Sequence, residues 1–467
     1  MSRRGTFSIG TKGTAMVLAL SSALVMAAAQ PQNILPPAGP APSPAPAPSG
    51  VPVPAATTVP SNTPATPPVI VPQMPVDEPV VSWTLNDAKA LLGMIEGIDA
   101  DGLLPADYQP EKLRAAIGAG PGLALDAQAS RSFAWLVEDV RDGRTRMDSR
   151  DQWFVIDTDV DHNPTSALLS RALASHDVPG TVTSLLPTTP DYGALKGMLA
   201  VTPKADKAKR SLIRINMDRW RWLPQDLGKY YLLTNVPEFQ LRLTVDNTII
   251  RSYRTIVGKV GKTATPQLSA VVQGVVFNPT WTVPQSIVKG EGLGARLIGN
   301  PASALRQGYK ATKAKDGTIT VVQQPGPTNS LGLMKLDMPN EHAIYIHDTP
   351  ARGLFAQAYR ALSHGCVRTE RATELGMTMA ILGSGKTTDE LVAIATSGKY
   401  TRVPMTKTFP VYIMYFTMAS DINGKLGTFP DLYKRDTAVL AAFAAPRKLW
   451  DGKRQSSEKV IKLDNPL

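Results

Sequence analysis

Residues 343–368 read AIYIHDTPARGLFAQAYRALSHGCVR. The run Ala343-Ile344-Tyr345-Ile346-His347 has the apolar, β-rich character of a strand, and Asp348-Thr349-Pro350 ends it. The segment from Ala356 to Leu362 then reads as a short helix or loop that delivers Ser363-His364-Gly365-Cys366 beside the strand end. Cys366 is the single cysteine of the 467-residue chain, and three of the five histidines, His342, His347 and His364, lie just upstream of it. A lone thiol makes no internal disulfide, so it is either an inert buried side chain or a reactive one. The clustered imidazoles favour reactivity.

Outward from this stretch, the alternating period continues. Tyr230–Leu233, Phe239–Leu243, Ile249–Tyr253, Val275–Phe277 and Thr318–Val321 read as strands between Gly, Pro, Asn and Asp turns. Before them, from about residue 80 to 200, the period is helical. Thr84 caps a segment carrying Leu85, Ala88, Leu92 and Ile95 on one face, Pro110 opens a second helix, and Asp126 precedes a third with Phe133, Val137 and Val140. Nothing in that unit gathers a nucleophile with a base, so it reads as a scaffold. The fold class expected is α+β, a helical scaffold domain followed by a β-rich domain that carries the chemistry.

The N-terminus carries Arg3, Arg4 and Lys12, an apolar run from Ala15 to Val25 and small residues through Ala29, the pattern of a signal peptide over residues 1–29. Residues 30–79 are rich in Pro and Ala and cannot build a core, which describes an extended spacer. Left uncleaved, the N-terminus would act as a membrane tether. The formal net charge of +11 suits a polyanion. Because the basic residues are scattered and the chain reads as exported, to a periplasm or cell envelope, an envelope polymer is the expected partner rather than nucleic acid.

Two decoys fall away. Asp157-Thr158-Asp159-Val160-Asp161 opens like a calcium loop, but His162 and Leu168 stand where the required glycine and glutamate would be. Gly383-Ser384-Gly385-Lys386-Thr387 resembles the end of a phosphate-binding loop, but Ala380 replaces its first glycine and a helix precedes it, with Gly383 and Gly385 serving as helix stop and turn. Neither a metal, a nucleotide nor any other cofactor is expected.

The chemistry expected is thiol catalysis. A thiolate attacks a carbonyl well only when a base or a positive field lowers the thiol pKa toward neutrality. His347, at a strand end 19 positions before Cys366, is the candidate base. His364 shapes the loop or adds positive field, and His342 falls outside the strand as a solvated side chain. Gly365 allows close backbone approach, and the N–H groups of Gly365 and Cys366 would hold an oxyanion. Ser363 would orient an imidazole, and Arg368 would meet a substrate carboxylate or a structural partner.

At these residues the chain resembles the bacterial L,D-transpeptidases, whose signature is a histidine, a gap of about fifteen residues, then Ser/Thr-His-Gly-Cys, an apolar residue and Asn or Arg. His347 and Ser363-His364-Gly365-Cys366-Val367-Arg368 match it. Asp218-Arg219-Trp220-Arg221-Trp222-Leu223-Pro224, Phe277–Pro284, Pro325–Gly332 and His347-Asp348-Thr349-Pro350 are similar to the large subgroup with a helical scaffold and a lid-like insertion. One departure is the peptidoglycan-binding module common in that subgroup, for which Leu195 to Ser211 leaves no room. The resemblance implies a catalytic domain over residues 211–400, a lid over about 286–324 and a C-terminal extension, 401–467, packed on one of the two domains. It also implies a two-step acyl transfer on peptidoglycan peptide stems. Cys366 attacks the carbonyl before the terminal D-alanine of a tetrapeptide stem, and the amine of a second stem resolves the thioester into a 3→3 cross-link. Tyr345 lines the site, and carbapenems acylate Cys366. Water, a free D-amino acid or a protein lysine could resolve the same thioester, and a non-enzymatic envelope-binding protein is the reading of a different class.

Overall fold

The computed structural model describes residues 80–458 apart from Glu291. The expected signal peptide and spacer lie outside the described residues. Among those described, no helix is long and apolar enough to cross a membrane.

The first layer is helical. Thr84 caps the helix Leu85–Gly97 by accepting the Asp87 N–H at 3.1 Å. The helix Pro110–Ala119 begins on its proline, as expected. The long helix starts earlier than Asp126 suggested, at Leu123, and runs to Asp142. Asp126 sits inside its first turn and accepts the Trp83 N–H at 2.7 Å, so the carboxylate that looked like a cap pins the preceding segment instead. Leu91, Ile95, Phe133, Val137, Leu169 and Val182 close the core of this layer.

The helices Pro190–Val201 and Lys207–Trp220 join that layer to the sheet, with only residues 202–206 between them. The Arg-Trp-Arg-Trp segment ends the second of these. Trp220 and Trp222 pack with Trp153, Tyr231, Leu233, Tyr412 and Phe416 in a shared apolar cluster. Asp218, fully buried, accepts the N–H groups of Arg144 and Thr145 at 2.8 and 3.1 Å and the Trp222 indole N–H at 3.0 Å. A Cβ on Gly143, whose φ is +84°, would lie 2.6 Å from the Trp222 ring, so the chain can cross here only as glycine.

The strands, in chain order, are β1 (Trp153–Phe154), β2 (Tyr230–Asn235), β3 (Gln240–Val245), β4 (Thr248–Gly258), β5 (Gln267–Phe277), β6 (Trp281–Thr282), β7 (Tyr309–Lys313), β8 (Ile319–Gln323), β9 (Met334–Asp337), β10 (Ile346–His347), β11 (Ala361–Ser363), β12 (Val367–Thr369), β13 (Thr401–Met414), β14 (Met418–Ser420) and β15 (Leu426–Thr428). The main sheet runs β1-β5-β13-β2-β3-β4-β12-β10-β9, and β9 pairs back onto β5, so the path closes on itself. Closure leaves few free edges for pairing with other chains. Its interior is filled by Leu232, Leu241, Val275, Leu336, Ile346 and Val367, and by Leu375, Met379 and Ala380 of the helix Ala372–Ser384.

Three expectations need correction here. The boundary near residue 400 cuts through the centre of the sheet, because β13 lies between β5 and β2. The segment beyond it then returns to the helical layer, where Arg447 meets Glu138 and Asp139 at 2.7 and 2.9 Å. Gly383 is not a helix stop; it is buried inside Ala372–Ser384 against Met405, and Gly385, left-handed at φ +74°, ends the helix. The strand expected over 343–347 is shorter, Ile346–His347, because Ala343 adopts a φ of +49° that breaks the extended run.

Strands β6, β8 and β7 form a separate three-stranded sheet, with helices Gln285–Gly290, Leu293–Gly299 and Pro301–Arg306. It has its own small core of Val283, Val288, Leu293, Leu297, Ala304 and Val321. This insertion covers the stretch expected to form a lid.

Candidate active site

Sheet register decides which side chains meet. β10 runs parallel to β12, pairing Ile346 with Val367 and His347 with Arg368. Ile346 and Val367 are fully buried in the core, so alternation sends Tyr345, His347, Cys366 and Arg368 to the opposite face. β9 runs antiparallel on the other side of β10 and pairs Lys335 with His347. Met334 and Leu336 enter the core, which turns Lys335 to the same face.

The thiol is held by the strand preceding it and by the loop around it. Cys366 is half-buried, and its Sγ donates to the Ala343 carbonyl at 3.6 Å. The strained φ of Ala343 turns that carbonyl to the sulfur. Burial pushes the Cys366 thiol up; the Tyr345 N–H, the positive charge of Lys335, the Tyr345 hydroxyl and Arg368 pull it back. The Tyr345 hydroxyl is itself held up by burial and by Cys366, with Trp281 of the insertion pulling it down.

His347 is 5 % exposed and its Nδ1 lies 2.5 Å from the Asp348 carbonyl. A carbonyl only accepts, so Nδ1 carries the proton and Nε2 of the neutral ring keeps its lone pair. Burial, aided by the positive charges of Arg368 and Lys335, pushes the imidazole down to about 3, so it is neutral at physiological pH. Asp348 fixes the segment bearing it: its N–H donates to Met334 O at 2.8 Å and its carboxylate accepts the Leu333 N–H at 2.9 Å. Gly332 must be glycine there, since a Cβ would lie 2.4 Å from that carboxylate.

Other expected residues play different parts. The Ser363 hydroxyl does not reach an imidazole; it donates to the Cys366 carbonyl at 2.6 Å and accepts the Gly365 N–H at 3.1 Å. That bond also occupies the Gly365 N–H expected to hold an oxyanion. Gly365 has a φ of +122° with the Ile344 side chain 3.1 Å from its absent Cβ, and its carbonyl accepts from the Thr265 hydroxyl at 2.7 Å. His364 is exposed. His342 is not a solvated side chain: its ring stands 4.1 Å from that of Phe154, and burial pushes it down. Arg368 is half-buried and its Nε, without a hydrogen-bond partner, meets no carboxylate among the described residues.

The reading of the sequence missed Lys335 and Trp281. Met334-Lys335-Leu336-Asp337 does alternate, which is the signal that would have placed Lys335 on the site face.

Comparison with known proteins agrees with this geometry. Residues 229–379 match the family model of the L,D-transpeptidase catalytic domain, and residues 81–199 that of the Scaffold domain. The chain is thus similar to an L,D-transpeptidase catalytic domain over a stretch that is less than half of its length. A Haemophilus influenzae protein named "Putative L,D-transpeptidase" is 28% identical over 242 residues, which is 49% of this chain and 48% of that protein. The chain thus aligns with about half the length of this curated relative. Among solved structures, an L,D-transpeptidase from Mycobacterium smegmatis is 15% identical, over 40% of this chain and 58% of its own, with a TM-score of 0.20. L,D-transpeptidase 1 of Mycobacterium tuberculosis is 12% identical, over 40% of this chain and 61% of its own, with a TM-score of 0.18. Likeness at that level carries no weight for the mechanism.

Proposed function

We propose that this chain is an exported peptidoglycan L,D-transpeptidase that forms 3→3 cross-links through a thioester on Cys366. The observation that supports it best is the convergence of Cys366, Tyr345 and His347 on one face of the β10–β12 pair, within the matched catalytic domain.

In the first step the thiol proton leaves toward His347 Nε2 and the sulfur attacks the carbonyl between the third stem residue and the terminal D-alanine. The Cys366 N–H is the nearby donor for the oxyanion, given that the Gly365 N–H is already bonded to Ser363. The C–N bond breaks, the D-alanine amine takes the proton back, and the acyl group stays on sulfur. In the second step the side-chain amine of another stem attacks the thioester, gives up its proton to His347, and the thiolate leaves. Arg368, with a buried donor unsatisfied, would receive a stem carboxylate. A strained lactam carbonyl invites the same attack, so carbapenem acylation of Cys366 belongs to this proposal, as does location in the periplasm or envelope.

Incubation of the protein with disaccharide-tetrapeptide, beside Cys366→Ala, tests the reading by mass spectrometry. Dimer with loss of D-alanine in the native protein alone is expected. Tripeptide without dimer would instead indicate a carboxypeptidase, and no change in either sample would favour a binding protein.

A further inference from the structure

Lys335 stands on the site face of β9, opposite His347 in the register and with its Nζ 4.0 Å above the Tyr345 ring centroid. The ring beneath it carries the hydroxyl that acts on the Cys366 thiol, pulling it down. The charged and titratable groups facing Lys335 are Tyr345 and His347 from β10, Cys366 and Arg368 from β12, and Asp337 along its own strand. Asp337 is engaged by Arg402 of β13, and the β5 residue paired with Lys335 is the apolar Val276. Among the described residues no carboxylate lies within ion-pair distance of Lys335, although its side chain is half-buried. A cation so placed has one ionisable neighbour able to become its anion, the thiol.

We propose that Lys335 is the counter-charge of the Cys366 thiolate, a positioning residue that sets the charge state of the nucleophile while His347 acts as a neutral relay. The role deepens the acyl-transfer reading and rests on it for its biological meaning. The chemistry is balanced without another reactant. The sulfur loses its proton to His347 Nε2 or to water, the resulting anion is held by the Lys335 ammonium, and the same ammonium faces the negative charge that passes onto the oxyanion. The division of labour follows from the surroundings of the two bases. His347 is pushed down to about 3 and so is a poor long-term holder of the proton, whereas the Lys335 amine, pushed down to about 8 by burial against the pull of Cys366 and Asp337, remains mostly charged at neutral pH. An imidazolium–thiolate pair would need a third positive charge beside Arg368 and Lys335; a lysine–thiolate pair removes one charge from the crowd.

The experiment is alkylation of the full chain by iodoacetamide across pH 6 to 10, read by intact mass, where the single cysteine makes the modified site unambiguous. Lys335→Met should raise the midpoint by about one unit, roughly a tenfold loss of thiolate near neutral pH, and Lys335→Arg should recover most of it. His347→Gln should move the midpoint much less. An unchanged midpoint in both Lys335→Met and Lys335→Gln, with circular dichroism melts like the native protein's, would overturn the proposal. Because alkylation uses no stem, a shifted midpoint with no cross-linked product would support the role of Lys335 and count against the transpeptidase reading alone.

Discussion

The buried charges between the helical layer and the sheet, and the charges on the β9–β10–β12 face, are built on opposite plans. At the joint, Arg144 meets Asp107 at 2.6 Å, Arg146 meets Asp139 at 2.7 Å, Arg219 meets Asp436 at 2.6 Å and Arg447 meets Glu138 and Asp139. Each of these four cations has its carboxylate, and the rings of Tyr415 and Trp135 cover Arg219 and Arg447, whereas Arg150, buried beside them over Trp222, donates to the backbone carbonyl of Thr145. On the site face Lys335 and Arg368 are half-buried without a carboxylate at ion-pair distance among the described residues. Burying a charge without its partner is costly. The proposed reaction would supply these two with anions that arrive or form during it, which the four paired arginines already have.

That contrast can be broken from either side. The largest effect is expected at the joint. Asp139, fully buried, receives Arg146, Arg447 and the Tyr108 hydroxyl, so Asp139→Ala leaves both arginines to share Glu138 and should cost roughly 3–5 kcal/mol of stability in chemical denaturation. Removing a site-face cation should do the reverse, leaving stability equal or slightly higher and activity lower. Denaturation curves that rank Lys335→Met as more damaging than Asp139→Ala would erase the distinction.

His347→Gln is expected to lower turnover by roughly 10²–10⁴-fold, the range for a general base. It should also change the acid limb of stability. With the imidazole held near 3 in the folded protein and near its ordinary value when unfolded, the unfolded chain binds the extra proton between about pH 6.5 and 3. Stability therefore falls as pH drops through that window, by at most about 1.4 kcal/mol per unit from this group. His347→Gln should flatten that slope, and an identical pH dependence in both proteins would show that the ring is not buried neutral.

The smallest of these effects is at Arg368. Arg368→Met should weaken donor binding by roughly 1.5–3 kcal/mol, the worth of a hydrogen bond to a charged group, with kcat less affected. A fall in kcat at unchanged KM would move Arg368 from the substrate to the transition state.

Much of this was legible in the sequence, for reasons that differ along the chain. Helix starts at Thr84 and Pro110 could be read because their signals are local. Asp126 misled because its partner, the Trp83 N–H, lies 43 positions away. The thiol and the imidazole announced themselves by residue type and spacing. Lys335 did not, since nothing local separates one lysine in a short alternating run from any other. Only the pairing of β9 with β10, set by closure of the sheet, turns it toward the thiol. The role expected of Ser363 failed for a related reason: its hydroxyl had two loop partners two and three residues away, nearer than any imidazole. β13 was missed as part of the sheet because Pro404 and Pro410 interrupt its pattern, and the register does shift between Pro404 and Phe409.

The central claim is that this face forms an acyl-thioester, and the most direct measurement is an intact-protein mass spectrum taken within the first turnovers on disaccharide-tetrapeptide. The account predicts an adduct equal to the disaccharide-tetrapeptide minus one molecule of D-alanine, located on the peptide containing Cys366 and absent from Cys366→Ala. Free D-alanine released with no adduct at any time point in the native protein, and undiminished in Cys366→Ala, would contradict it.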